Sequence, residues 1–354
     1  METRLRAAGT ESGTLPDTMR AAQIVQPRQA TVVETALPVP AAGEVLVQVE
    51  GCGVCGSNLP LWEGRDWFTY PMPPGNPGHE AWGRIAALGE AAPAGLQIGD
   101  RVAMLSYRAF AEYDIAQADA LVKLPDSLAD TPFPAEPLAC ALNVFARSNI
   151  QAGQTVAVVG IGFLGALLTA LAADAGARVI AITRRPCALE SARQMGAAHR
   201  IVMDDHWRII EQVKRLTGDE GCDCVIEAVG AQWPLDLAAE LTRIRGRLVI
   251  AGYHQDGTRQ VNMQLWNWRG LDVINAHERA PQVYVDGMQA AVEAVAGGRL
   301  DPSPLYTHRY ALEELDQALT ALQQRPDGFM KALIEIVPAA ARRSPSGDDT
   351  PRPR

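Results

Sequence analysis

The sequence predicts an α/β fold in which a β-rich half precedes a parallel sheet, and three observations predict it. From residue 19 to about residue 124, short alternating segments are broken by Pro and Gly. From about residue 142, apolar strands alternate with helical windows. At the first of these strands a G-x-G-x-x-G turn runs straight into a helix. The 354 residues are enough for about two domains, and 47% hydrophobic with 21% charged residues is an ordinary globular composition.

Taken in order, residues 1–18 show no hydrophobic period and are expected to form a tail. Gln23 to Glu50 reads as short strands interrupted by Pro38, Pro40 and Gly43, and Gly83 to Leu124 continues in that style. Strands then follow at Thr155 to Val159, Arg178 to Ile182, Cys224 to Glu227 and Arg247 to Ile250. Helical windows at Ala166 to Asp174 and Ala188 to Met195 stop at Gly176 and Gly196, where a left-handed cap is free of strain. After residue 277, a helix from Tyr284 to Ala296, a strand around Leu305 to Tyr310 and a helix from Leu312 to Gln323 mark a return to the first domain. Residues 338–354 carry no apolar anchor and are expected to be a second tail.

Several function classes are disfavoured at this level. Lys and Arg number 32 against 41 Asp and Glu, and a balance of -9 argues against nucleic-acid binding by bulk charge. The apolar run Val156 to Ala173 approaches membrane-spanning length, but Gly160, Gly162 and Gly165 near its start make it a strand, a turn and a helix. No membrane partner is expected. Six cysteines are too sparse for a secreted disulfide framework and no signal peptide is visible, so a reducing cytoplasm is the expected setting.

In the turn itself, Gly160 permits the tight bend, Gly162 lets backbone approach a pyrophosphate and Gly165 lets the helix pack against the strand. Phe163 and Leu164 lie between them at the helix start, whose amides face an anion. The next strand ends about 20 residues later, where a ribose-reading residue belongs. Thr183 stands there, followed by Arg184 and Arg185, instead of the acid that would read both ribose hydroxyls. A hydroxyl followed by Arg suits a 2'-phosphate, so NADP is favoured over NAD; two solvated arginines at a strand end are the alternative.

Cys55, His79 and Glu136 or Cys140 form the candidate metal set, because catalytic zinc takes Cys, His and carboxylate ligands and keeps one position open. Pro137 at a helix start places Glu136 and Cys140 one turn apart, leaving both as candidates. The segments Gly51-Cys-Gly-Val-Cys55-Gly-Ser57-Asn58, Pro77-Gly78-His79-Glu80-Ala-Trp-Gly83 and Gly99-Asp-Arg101-Val102, followed by the Gly160 fingerprint, resemble the zinc-dependent medium-chain dehydrogenase family over roughly residues 19–337.

That resemblance implies a GroES-like catalytic domain of residues 19–141 and 277–337, an inserted Rossmann domain of residues 142–276, and catalytic zinc in the cleft between them. Cys55 and His79 match the first two metal ligands, and Glu136-Pro137-Leu138 is similar to the Glu-Pro-Leu of the sorbitol, polyol and threonine dehydrogenase branch. Glu80 would be a neighbouring acid able to modulate the zinc or exchange onto it. Ala103 to Phe133 lacks the four-cysteine lobe of many relatives, so one catalytic and no structural zinc is expected.

The implied reaction is hydride transfer between NADP or NAD and a small-molecule alcohol or ketone, with a secondary alcohol of a polyol, cyclitol or amino alcohol foremost. Ser57 matches the hydroxyl that begins a proton relay, with Glu80 or water as another exit because Pro60 stands where relatives can hold a histidine. Asn58 replaces a common Asp. Trp62, Trp67, Phe68 and Phe110 are candidate pocket walls, though ordinary packing suits them equally. Glu278 and Arg279 are candidate substrate contacts on a crossover loop. A homodimer or homotetramer is implied through the edge strand near Val273 to Asn275. Two other readings share this fold: a zinc-free NADPH-dependent reductase of activated C=C bonds, and a non-catalytic NADP-binding protein.

Overall fold

A computed structural model describes residues 15–336. Most of both expected tails, residues 1–14 and 337–354, lies outside the described residues, but residue 18 does not belong to a tail: strand β1 (Thr18–Gln26) starts there and pairs antiparallel with β2 (Gln29–Ala36). Next come β3 (Glu44–Gly53), helix α1 (Leu59–Glu63), β4 (Ala81–Leu88), β5 (Arg101–Met104), β6 (Tyr113–Gln117), β7 (Leu121–Lys123) and α2 (Ala135–Ser148). The βα series is β8 (Thr155–Val159), α3 (Phe163–Asp174), β9 (Arg178–Thr183), α4 (Pro186–Gln194), β10 (His199–Val202), α5 (His206–Thr217), β11 (Cys222–Glu227), α6 (Gln232–Leu241), β12 (Thr242–Ile250), α7 (Met263–Arg269) and β13 (Asp272–Asn275). The described residues close with α8 (Pro281–Ala296), β14 (His308–Ala311), α9 (Leu315–Gln324) and β15 (Ala332–Glu335).

Two large sheets result. One is six-stranded and parallel in the order β10-β9-β8-β11-β12-β13, with the order reversing between β8 and β11. The crevice beyond the C-terminal ends of those two strands is where such sheets bind ligands. All five residues of β8 are buried, which is why a parallel strand covered on both faces reads as an unbroken apolar run. The other sheet runs β14-β15-β3-β4-β5-β7, with β6 also on β3, so β15, the last strand among the described residues, lies antiparallel beside one from the first third of the chain.

Helix α2 joins the two sheets. Its Leu138, Ala139 and Val144 share one apolar core with Trp82 and Ala103 of the mixed sheet and Val156 and Val158 of the parallel sheet. Burial of that shared face fixes how the crevice meets the mixed sheet. No helix among the described residues is long and apolar enough to cross a membrane.

Candidate active site

The register of β3 on β4 builds the centre of the site. Cys52 lies opposite Ala81, and the ladder runs one step further as Gly53 N–H donates to the Glu80 carbonyl at 3.0 Å. Cys55, just past the end of β3, therefore meets His79 and Glu80, just before the start of β4. Ligand atoms of Cys55, His79 and Glu80 all lie within 4.8 Å of one another. Gly53 is required here, because a Cβ on it would stand 1.8 Å from Glu80 Oε2.

His79 is oriented by backbone. The Pro77 carbonyl accepts Nδ1–H at 2.9 Å, leaving Nε2 to face the cluster. Asn58 donates to that same carbonyl at 3.1 Å and accepts the Cys55 N–H at 2.9 Å. Its amide thus works through Pro77 and Cys55, where a carboxylate would grip the ring directly. Burial opposes a charge on His79, but the hydrogen bond to Cys55 and the negative charges of Cys55, Glu136 and Glu80 outweigh it and push the imidazole up to about 10. The surroundings favour a cation at this point.

Glu136 and Cys140 sit one turn apart on α2, with the thiol donating to Glu136 Oε1 at 3.3 Å. Burial raises the Glu136 carboxyl, partly offset by His79. Glu80 completes the tight triad, and the expected candidates Glu136 and Cys140 bond to each other on α2. The β3–β4 register delivers Glu80 with His79.

Two residues of this cluster carry no motif. Lys331, immediately before β15, is buried and lies 2.7 and 2.5 Å from the two carboxylate oxygens of Glu80, while also donating to the Val54 carbonyl at 3.1 Å. A lone Lys between Met330 and Ala-Leu-Ile was the available signal. Tyr284, in the first turn of α8, donates to the Glu278 carbonyl at 3.2 Å, and burial together with Cys140 and Glu136 holds its phenol above the ordinary value.

A divalent cation fits this donor set. Tetrahedral zinc with bonds of about 2.0–2.3 Å spaces its ligand atoms about 3.3–3.8 Å apart, within reach of small side-chain rotations here. Glu80, Cys55 and Glu136 all act on the buried Lys331 beside this set. Among the described residues no other group of His, Cys, Asp and Glu meets the same spacing. Burial pushes Cys222 up to about 12, in keeping with a packing role.

The Gly-rich turn reaches this cluster through Phe163. Its ring stacks on Tyr306 at 5.9 Å, and Lys331 Nζ lies 5.1 Å from its centroid. The backbone of Gly162, Phe163 and Leu164 opens α3. Gly165 approaches so closely that a Cβ would stand 2.0 Å from the Gly160 carbonyl. Gly165→Ala is accordingly expected to destabilise the fold by about 1–3 kcal/mol through overpacking. It should also weaken dinucleotide binding by about tenfold or more as α3 is displaced. Calorimetric titration and thermal melting check both, and unaltered binding would refute the close-packing argument.

Across the crevice, the buried Glu227 at the end of β11 accepts from Val229 and Gly230 N–H at 2.7 and 2.8 Å and lies 3.0 Å from His254 Nε2. Arg259 donates to His254 Nδ1 at 2.9 Å, so Nε2 carries the proton and donates to Glu227. This network fixes the loop after β12 beside the Gly-rich turn.

Other expected residues scatter. Ser57 Oγ is 3.5 Å from His79 Nε2, beside the cluster. Thr183 is buried at the end of β9 and Arg184 is exposed. Trp62 and Phe110 are both buried in the core of the mixed sheet, with Trp62 Nε1 donating to Asp316 at 2.7 Å. Trp67 is exposed beside Phe68, 5.8 Å between ring centroids. Glu278 turns back to accept Arg279 and Ala280 N–H at 2.6 and 2.9 Å just before α8, and Arg279 remains exposed.

Known proteins resemble this chain over both sheets. Residues 41–126 match the alcohol dehydrogenase GroES-like domain, and residues 164–293 match the zinc-binding dehydrogenase domain. Sorbitol dehydrogenase of Bacillus subtilis is 29% identical over 355 residues, covering 91% of this chain and 98% of its own length. A putative zinc-binding dehydrogenase of Sinorhizobium meliloti, solved bound to NADP, is 26% identical with a TM-score of 0.78, covering 91% of this chain and 100% of its own. An Escherichia coli alcohol dehydrogenase solved with NADH shares the fold at 22% identity and a TM-score of 0.81, covering 90% of this chain and 100% of its own.

Proposed function

The chain belongs to the zinc-type medium-chain dehydrogenase family and is an alcohol oxidoreductase, and within that family we propose that it oxidises a secondary hydroxyl of a polyol with NADP as hydride acceptor. The observation that carries this reading is the cluster of Cys55, His79 and Glu80, faced by Glu136 and joined to the Gly-rich turn through Lys331 and Phe163. Similarity to sorbitol dehydrogenase supports the polyol, and Thr183 followed by Arg184 supports NADP.

Cys55 Sγ, His79 Nε2 and Glu80 would hold zinc, which when bound supplies a Lewis acid that lowers the pKa of the alcohol hydroxyl. Pro77 and Asn58 fix the His79 ring and the Cys55 backbone, so two donors are oriented before any cation arrives. Ser57 Oγ, beside His79, receives the hydroxyl proton and passes it outward. Pro60 is buried in α1 and offers no donor, which leaves that step to Ser57 and water. Tyr284, next to Glu136 and Cys140, offers its phenol to a second hydroxyl of the substrate.

A panel of polyols, cyclitols and monohydric secondary alcohols, assayed with NADP and NAD at measured zinc content, tests the reading. Polyols should give the highest kcat/KM. Tyr284→Phe should raise KM for polyols about fivefold to tenfold, the size of one neutral hydrogen bond, and leave kcat and the monohydric alcohols unchanged. A clear preference for monohydric alcohols overturns the polyol assignment.

A further inference from the structure

Arginine side chains converge where the end of β9 meets the turn after α9. Arg185 donates to the Ile161 carbonyl at 3.2 Å and to the Phe329 carbonyl, joining the Gly-rich turn to a segment that lies outside the parallel sheet. That segment is a tight turn, with Phe329 N–H donating to the Pro326 carbonyl at 3.0 Å. Arg325 opens it in the left-handed region, φ 48°, at the end of α9, and its side chain is exposed. Partial desolvation, then the positive charges of Arg185 and Arg184, holds Arg325 below its ordinary value. Among the described residues, none of these three arginines forms an ion pair. Like charges gathered at a strand end without a carboxylate are unfavourable unless an anion joins them.

The pyrophosphate of a dinucleotide belongs at the start of α3, so the anion at the end of β9 is the one carried by the adenosine ribose. Arg185 has its guanidinium engaged by two carbonyls, which leaves Arg184 and Arg325 free to take it. We propose that Arg325 and Arg184 clamp the 2'-phosphate of NADP from opposite sides, with Arg185 as the positioning residue that holds the Arg325 turn in place. The inference rests on the NADP reading above and adds a specificity determinant contributed from beyond the sheet. Planar guanidinium groups suit this role because each gives a phosphate two parallel donors.

Binding of NADPH, NADH and adenosine 2',5'-bisphosphate to the wild type, Arg325→Ala, Arg325→Lys and Arg184→Ala tests it, with thermal melting to confirm folding. Arg325→Ala should weaken NADPH and the bisphosphate by about tenfold or more, the size of a charge-assisted hydrogen bond, with NADH changed less than about twofold. Arg325→Lys should recover part of the loss. Wild-type protein that binds NADH as tightly as NADPH overturns the NADP reading itself. An NADPH preference that survives in Arg325→Ala but falls in Arg184→Ala overturns the clamp and leaves the NADP reading standing.

Discussion

Lys331→Met is expected to destabilise the metal-free protein by about 3–5 kcal/mol, the cost of leaving a buried carboxylate without its cation. Glu80 is fully buried, accepts the Lys331 hydrogen bond through Oε1 and holds Oε2 in the same ion pair, while Met matches the aliphatic length of Lys and opens little cavity. For a chain of this size the loss corresponds to a fall in Tm on the order of 10 °C. If Glu80 shares its charge between Lys331 and zinc, loading the variant with zinc should restore part of that loss, so its Tm should rise more on metal addition than the wild-type Tm does. The pair Lys331→Met with Glu80→Gln should recover much of the stability, since removing both charges also removes the unpaired one. Scanning calorimetry of the variants with and without zinc checks all of this. A Lys331→Met protein as stable as wild type without metal would show that Glu80 does not depend on this lysine.

What could be read from sequence follows from how local each signal is. The strand at Thr155–Val159 matches because it is buried on both faces and no polar residue interrupts it. The strand ending at Ile250 starts at Thr242 and not at the expected Arg247, because Arg243 and Arg245 break the apolar pattern while Arg243 pairs with Asp223 of β11. The first helix of the parallel half starts at Phe163, three residues before the expected Ala166. Phe163 and Leu164 open that helix without the apolar periodicity that marks its later turns.

The site divides in the same way. Cys55, His79, Glu136 and Cys140 are reactive residue types in short motifs, and the fold brings them together. Lys331 meets Glu80 across 251 positions of chain, and no local pattern announces a contact made by the pairing of β15 with β3. Arg185 likewise reaches the Phe329 carbonyl, in the turn after Arg325, across 144 positions of chain. Trp62 and Phe110 were open to either role in the sequence, and the core claimed them because large aromatic surfaces gain most from burial.

The largest functional effect is expected for His79→Ala. Its ring supplies the only imidazole of the triad and is set by the Pro77 carbonyl, so removing it leaves Cys55 and Glu80 too few to hold a catalytic cation firmly. Zinc content should fall from about one per chain to near zero, and alcohol oxidation by on the order of 10³-fold or more, since several kcal/mol of charge stabilisation disappear with the metal. NADPH affinity should stay within about twofold, because the amides at the start of α3 and the arginines at the end of β9 lie on the parallel sheet and its neighbouring turn. Metal analysis, steady-state kinetics and cofactor titration of one preparation separate these effects. Alcohol turnover that persists in metal-free His79→Ala would remove zinc from the reaction and turn attention to reduction of activated C=C bonds, chemistry that needs the dinucleotide crevice but not the triad.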